Sequence, residues 1–280
     1  MHLAPLARTS LHAATALLVD ALPYDRIDVV AEEKLFGDDG ARTGVTTGAW
    51  DGDELVGVCA LAERYIKVLA VAEPHRHRGV GTQLLALATP YARVGDHPGN
   101  YLSPGVDVRY TDGLAWLVRR GFHERGQVEN LRADYTHVTE PTDVPGYRLG
   151  RPTSLELPAV LHMVTTQFAP VWAKEIGLAA HGPRRALFSA WTDEGVPVAF
   201  ACADGNNQGL GWFGPAGTLP AHRGKKLGEA LLRASLLAVH GLPEAGVIAW
   251  IGPKAFYARA VGAVDDRRFV QLERQVEAQS

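Results

Sequence analysis

The second half of this sequence repeats the order of signals in the first, and a chain built that way folds as two similar units rather than one large one. Leu6-Ala7-Arg8-Thr9-Ser10 resembles Leu149-Gly150-Arg151-Pro152-Thr153, and each stretch leads into an expected helix. The second carries a capping-box pattern, Thr153 followed by Glu156, ahead of Leu157, Val160, Leu161 and Val164 at helical spacing. Trp50 to Ala60 matches Trp191 to Ala203, and both read as two strands joined by an acidic-glycine turn. Arg8 to Arg151 and Cys59 to Cys202 share one offset. Between the halves, Thr136 to Pro145 is rich in threonine and proline and reads as a linker. With 280 residues, the expected division is 1–138 and 139–280. Hairpins imply antiparallel pairs and strand-loop-helix units imply a parallel portion, so the fold class is a mixed α/β one.

Composition narrows the function. The hydrophobic fraction is 46%, enough for real cores, and the formal net charge is -3, which disfavours dedicated nucleic-acid binding. Two cysteines are too few for a disulfide scaffold or a cysteine-rich zinc site, and they sit in apolar strands as core residues. No apolar run approaches the ~20 residues of a membrane helix, and the first residues lack signal-peptide character. The expectation is a soluble, cytoplasmic protein with no metal, no membrane and no nucleic-acid partner.

The clearest repeat is a basic, glycine-containing loop. Glu73-Pro74-His75-Arg76-His77-Arg78-Gly79-Val80-Gly81-Thr82 mirrors Pro220-Ala221-His222-Arg223-Gly224-Lys225-Lys226-Leu227-Gly228-Glu229. The first copy follows a β-branched strand pattern, Tyr65 to Val71, and precedes an apolar helix pattern. A loop that opens a helix this way offers unpaired first-turn amides, the positive end of the helix dipole and arginine charge, which together suit a pyrophosphate. No Gly-Lys-Ser/Thr follows, so the Walker pattern fails, and the spacing also fails the dinucleotide fingerprint. His75 and His222 recur beside the arginines and read as structural or phosphate contacts rather than metal ligands.

The spacing Arg76-x-x-Gly79-x-Gly81, with Val71 five residues ahead, resembles the acyl-CoA loop of the GCN5-related N-acetyltransferase (GNAT) superfamily. The second copy keeps the frame, with Thr218 and Gly228 in place and Lys226 replacing the first glycine. Leu114 to Phe122 and Ala255 to Ala263 resemble the family's late helix. The resemblance spans nearly the whole chain. It implies two tandem GNAT-like domains, each a central mixed β-sheet flanked by helices, with strands splayed around an acetyl-CoA groove.

By the same resemblance, acetyl-CoA would run along Leu69, Ala70 and Val71 to a cradle of Arg76, His77, Arg78, Gly79, Val80, Gly81 and Thr82. In the second half it would run along Trp212 to Thr218 toward Arg223, Gly224, Lys225, Lys226, Leu227 and Gly228. A strand amide would polarise the thioester carbonyl. The implied reaction is direct transfer of acetyl to a primary amine of a small molecule. Tyr257 would protonate the leaving thiolate, one position early against the family spacing, and Glu73 is a candidate base. The first half has Trp116-Leu117 there, with Tyr101 and Tyr110 as alternatives, and Glu32 and Glu33 are candidates to line an amine site. The competing expectation is a non-catalytic acyl-CoA-binding sensor or scaffold with one or both halves degenerate.

Overall fold

The computed structural model describes residues 1–37, 44–88 and 92–275. In the first repeat the elements are β1 (His2–Pro5), α1 (Leu11–Ala21), α2 (Ile27–Phe36), β2 (Gly44–Asp51), β3 (Glu54–Ala62), β4 (Tyr65–Val71), α3 (Val80–Leu85), β5 (Ala92–Val94), β6 (Val106–Asp107) and α4 (Thr111–Val118). A ten-residue strand, β7 (His123–Arg132), follows. The second repeat runs through β8 (Tyr147–Gly150), α5 (Leu157–Gln167), α6 (Trp172–His181), β9 (Leu187–Thr192), β10 (Pro197–Ala203), β11 (Phe213–Thr218), α7 (Leu227–Val239), β12 (Val247–Ile248), α8 (Lys254–Val261) and β13 (Val264–Arg274). The sheets are mixed, antiparallel along the hairpins and parallel where β4 meets β5 and β11 meets β12.

Two compact units form, but not at the expected division. One comprises Met1–Val128 with the chain from Arg268 on, and the other comprises Glu129–Arg267. The linker reading followed the composition of 136–145, whereas strand pairing decides where a unit ends. The last turn of pairing on β13 belongs to the first unit: Leu272 stands opposite Val94 of β5, and Phe269 opposite Asp107 of β6. Leu272 is buried in the first unit's core beside Cys59, Ile66, Leu84 and Phe122.

Local signals form as the sequence dictates. Gly52 and Gly195 take the left-handed conformation at the two hairpin turns (φ 62° and 80°), a backbone state that glycine adopts without steric cost. Thr153 and Glu156 make the reciprocal capping box, with Thr153 N–H donating to Glu156 Oε2 at 2.8 Å and Glu156 N–H donating to Thr153 Oγ1 at 3.3 Å. Ala14, Leu17 and Leu18 of α1 are buried at helical spacing, and Val160, Met163 and Val164 do the same on α5. The α3 helix is shorter than the apolar run suggests, six residues against thirteen in its counterpart α7. Both cysteines are buried and free, and burial pushes the Cys59 thiol up to about 12 and the Cys202 thiol well above its ordinary value. Neither is a nucleophile at neutral pH.

Candidate active site

In the first unit, among the described residues, β4 and β5 are paired at two positions, Tyr65 opposite Arg93 and Ile66 opposite Val94. The amide of Gly95 donates to Ile66 O at 3.0 Å, and beyond that rung the strands part. On its other edge β4 stays paired with β3 to Val71, with a bulge that leaves Lys67 between the residues facing Ala60 and Leu61. The Ala72 amide donates to Val56 O at 3.0 Å. Strand alternation therefore turns the amides of Leu69 and Val71 the opposite way, into the gap left by β5. That gap is a cleft of about 1190 Å³ lined by Lys67–Val71, Glu73, Arg76, His77, Gly79, Gly81, Thr82 and, across from them, Tyr24, Asp25, Tyr110 and Trp116.

The loop at the end of β4 is shaped by its own residues. The Nε of Arg76 donates to Val71 O at 3.1 Å, folding the guanidinium back over the strand end. His77 and Gly79 adopt left-handed conformations (φ 61° and 86°), and Gly79 caps α3. The first intrahelical bond is Gln83 N–H to Gly79 O at 3.0 Å, so the amides of Val80, Gly81 and Thr82 have no partner within the helix. The Val80 side chain is in the core, so only its backbone serves the loop. A Cβ on Gly81 would lie 3.2 Å from Trp116, so the absent side chain lets the indole cover the helix start. Arg78 is exposed and outside the cleft lining.

The second unit repeats this geometry closely. β11 pairs with β12 at Phe213 opposite Ile248, Ala249 N–H reaches Phe213 O at 3.4 Å, and Arg223 Nε donates to Thr218 O at 3.1 Å. Leu219 N–H bonds Val198 O at 2.9 Å, so Ala216 and Thr218 present their amides to the open side. The α7 helix opens with Ala230 N–H to Lys226 O at 3.1 Å, freeing the amides of Leu227, Gly228 and Glu229.

Three details differ. Lys226 sits at the helix cap with φ 65°, a strained state for a residue with a Cβ, where the first unit has Gly79. Lys225 is tied back, its Nζ donating to Tyr147 Oη at 2.7 Å while that oxygen lies 2.8 Å from His222 Nδ1. Phe168 lies against Gly217 so closely that a Cβ there would be 2.4 Å from Cε1.

The acid–base candidates are placed unequally. Tyr257 packs its ring 6.2 Å from that of Phe213, the last paired residue before the strands of the second unit diverge, and burial pushes its phenol up. Its hydroxyl makes no hydrogen bond among the described residues. Phe256 lies 3.7 Å from the Cβ position of Gly228, as Trp116 does over Gly81, so buried Leu117 takes the place of Tyr257 in the first unit. Glu73 is exposed at the loop end of the first cleft, beside the cradle.

Glu32 pairs with Arg8 and Glu33 with buried Lys34, and neither lines the cleft. His75 lies between Asp51 (4.0 Å) and Glu54 (3.7 Å) of the first hairpin, a structural tie. Among the described residues no group of His, Cys, Asp and Glu is arranged to hold a metal, and no helix is long and apolar enough to cross a membrane.

Of the groups that face β4 across the cleft, sequence reasoning named Tyr110 and Trp116 but missed Arg120 and Asp25. Arg120 stacks its guanidinium 4.0 Å over the Trp116 ring and donates to Thr82 Oγ1 at 2.8 Å. Burial and neighbouring Arg119 lower its proton affinity. Tyr110 donates to Asp25 Oδ2 at 2.7 Å and accepts the Tyr24 amide at 3.2 Å. The Arg119-Arg120 pair before Gly121 was the available signal for the first group. Nothing local joins Asp25 to Tyr110.

A strand edge opened beside a helix start rich in unpaired amides offers a long, phosphate-ended ligand both a backbone to pair with and a cradle for its charge. Residues 11–100 match the profile described as the Acetyltransferase (GNAT) family. No curated protein matches the sequence.

Solved structures do match over nearly the whole chain. The GCN5-related glucosamine N-acetyltransferase region of a fungal multi-domain GH3 β-N-acetylglucosaminidase aligns at TM-score 0.75 and 16% identity, covering 97% of this chain and 38% of that one. A tandem GNAT protein from the clavulanic acid biosynthesis pathway aligns at TM-score 0.68 and 17% identity, covering 100% of this chain and 99% of that one. A GCN5-related N-acetyltransferase from Sphaerobacter thermophilus aligns at TM-score 0.65 and 17% identity over 99% and 97% of the two chains. The chain thus shares the fold of these structures over nearly its whole length, and its residues 11–100 carry the match to the GNAT family profile.

Proposed function

We propose that the first unit binds acetyl-CoA in its open strand edge and transfers the acetyl group to a primary amine of a small molecule. The observation that carries this reading is the divergence of β4 from β5 just past Ile66, in the same cleft as the unpaired amides of Val80, Gly81 and Thr82. A pantetheine arm pairs with the Leu69 and Val71 backbone as an added strand does. The first-turn amides and Arg76 take the pyrophosphate. An amide near the Lys67 bulge polarises the thioester carbonyl, which the neutral amine attacks. A C–N bond forms, the C–S bond breaks, the amine's proton leaves to a base or water, and the thiolate takes a proton.

The second unit has the same frame, with Arg223, Gly224, Lys225, Lys226, Leu227 and Gly228 around its helix start and Tyr257 as its thiol-protonating acid. Lys226 at the cap and the Lys225–Tyr147 tie favour a second reading for that unit, donor binding without turnover. Thiol release from acetyl-CoA with a panel of primary amines tests the proposal. Amine-dependent release supports transfer; tight donor binding with no release on the panel leaves the sensor or scaffold reading standing instead.

A further inference from the structure

The two units place a non-glycine residue with left-handed backbone immediately after the rung where the groove strands part: Asp96 (φ 46°) after Gly95, and Trp250 (φ 51°) after Ala249. A side chain held in that conformation is strained, and it persists where its surroundings fix it. In the first unit the surroundings are charged. Asp96 is 2% exposed and pairs with Arg93 of β5, while its Oδ2 lies 3.6 Å from Arg125 of β7 and 3.4 Å from Gln271 Nε2 of β13. Gln271 also donates to Pro104 O at 3.3 Å. Arg93 stands opposite Tyr65 in the register and lies 5.4 Å from its ring centre, so the node grips the stretch where β4 and β5 pair. The other carboxylate oxygen, Oδ1, is buried with no partner among the described residues.

We propose that Asp96 is the positioning residue of the first groove: by joining β5, β7 and β13 beneath the last β4–β5 rung, it fixes the angle at which the strands part and so the fit of the donor. The proposal rests on the acetyl-CoA reading of the first unit.

Burial raises the Asp96 carboxyl to about 6, against the pull of Arg93, Arg125 and Arg64. The remaining charged groups of the node are Glu273, 3.4 Å from Arg125 Nε, and His123, 3.4 Å from Glu273. His97 follows in sequence with its ring edge-on to Tyr65 at 5.2 Å. Because the folded value lies above the ordinary 3.8, the stability this group contributes is full below about pH 4 and is lost as pH rises to about 6. The ionised form, which binds the arginines, is therefore held at neutral pH at a cost in stability. Donor affinity rises with pH through the range in which this contribution to stability falls, and a merely structural residue does not give that opposition.

The test uses the full chain with Arg223→Ala and Gly228→Glu silencing the second loop. Acetyl-CoA affinity by calorimetry from pH 5 to 8 is expected to tighten about tenfold through pH 6 in the parent and to be weak and flat in Asp96→Asn. Exchange of the Gly95 amide, which holds the last rung, is expected to be about tenfold faster in Asp96→Asn. Arg125→Met gives the same direction if Asp96→Asn does not fold. Parent-like affinity, pH profile and Gly95 exchange in a folded variant overturn the proposal. If the parent binds no acetyl-CoA, the donor reading fails, and Gly95 exchange still decides the role of Asp96.

Discussion

Gly79 and Lys226 occupy the same helix-cap position with a left-handed backbone, and only Gly79 does so without a side chain beside the first-turn amides. Replacing Arg76 by Ala together with Gly79 by Glu removes one charge, adds an opposing one and strains the cap. Acetyl-CoA affinity of the first unit should fall by at least tenfold, a loss of about 1.4 kcal/mol, read by calorimetry. Unchanged affinity and stoichiometry would place the donor elsewhere. Tyr257→Phe keeps the packing on Phe213 and removes the proton. With the first loop silenced, it should slow any turnover left to the second unit about 100-fold with donor affinity unaltered, whereas turnover by the first unit should not change.

Gly79 was legible in the first loop because a left-handed backbone, φ 86°, leaves its mark on a single residue. The Arg120–Trp116–Thr82 contacts were not, since they join positions far apart in sequence through the packing of α4 on α3.

Short-range codes read directly as elements. The capping box at Thr153 and Glu156, the glycine turns of both hairpins and the buried stripes of α1 and α5 are all local chemistry. The packing of the α5–α6 connection on β11 is not local, and it creates a demand invisible in sequence. Gly217 must lack a side chain because Phe168 lies over it, and Phe168 is held by Phe200 at 5.2 Å and Trp172 at 6.3 Å. Gly217→Ala should destabilise the second unit by about 1–3 kcal/mol, seen as a lower melting temperature, through overpacking. A melting temperature equal to that of the parent would show that the aromatic group yields.

The path of β7 and β13 was also hidden. Both are long strands that close a repeat, and their sequences do not say at which residue pairing passes from one unit to the other.

At the scale of the molecule, the repeat predicted two units. The composition of 136–145 suggested the wrong place to cut. A fragment of residues 1–138 lacks Leu272 in its core and the strand opposite Val94. It should therefore show little cooperative unfolding and no acetyl-CoA binding, although it contains every loop residue of the first cradle. A sharp thermal transition from that fragment would contradict the assignment of Arg268 onward to the first unit.

The same strand sets an order of events during synthesis. The first groove has its loop and its arginine early, but its last strand is made only after all of the second unit, on the order of ten seconds later at ordinary elongation rates. Until then the nascent first unit carries an open sheet edge at β5, the kind of surface that chaperones cover and that aggregates when they do not. A ribosome that stops short of Arg268 releases a chain whose first unit is unfinished, so donor binding there reports that the message was read through the second repeat.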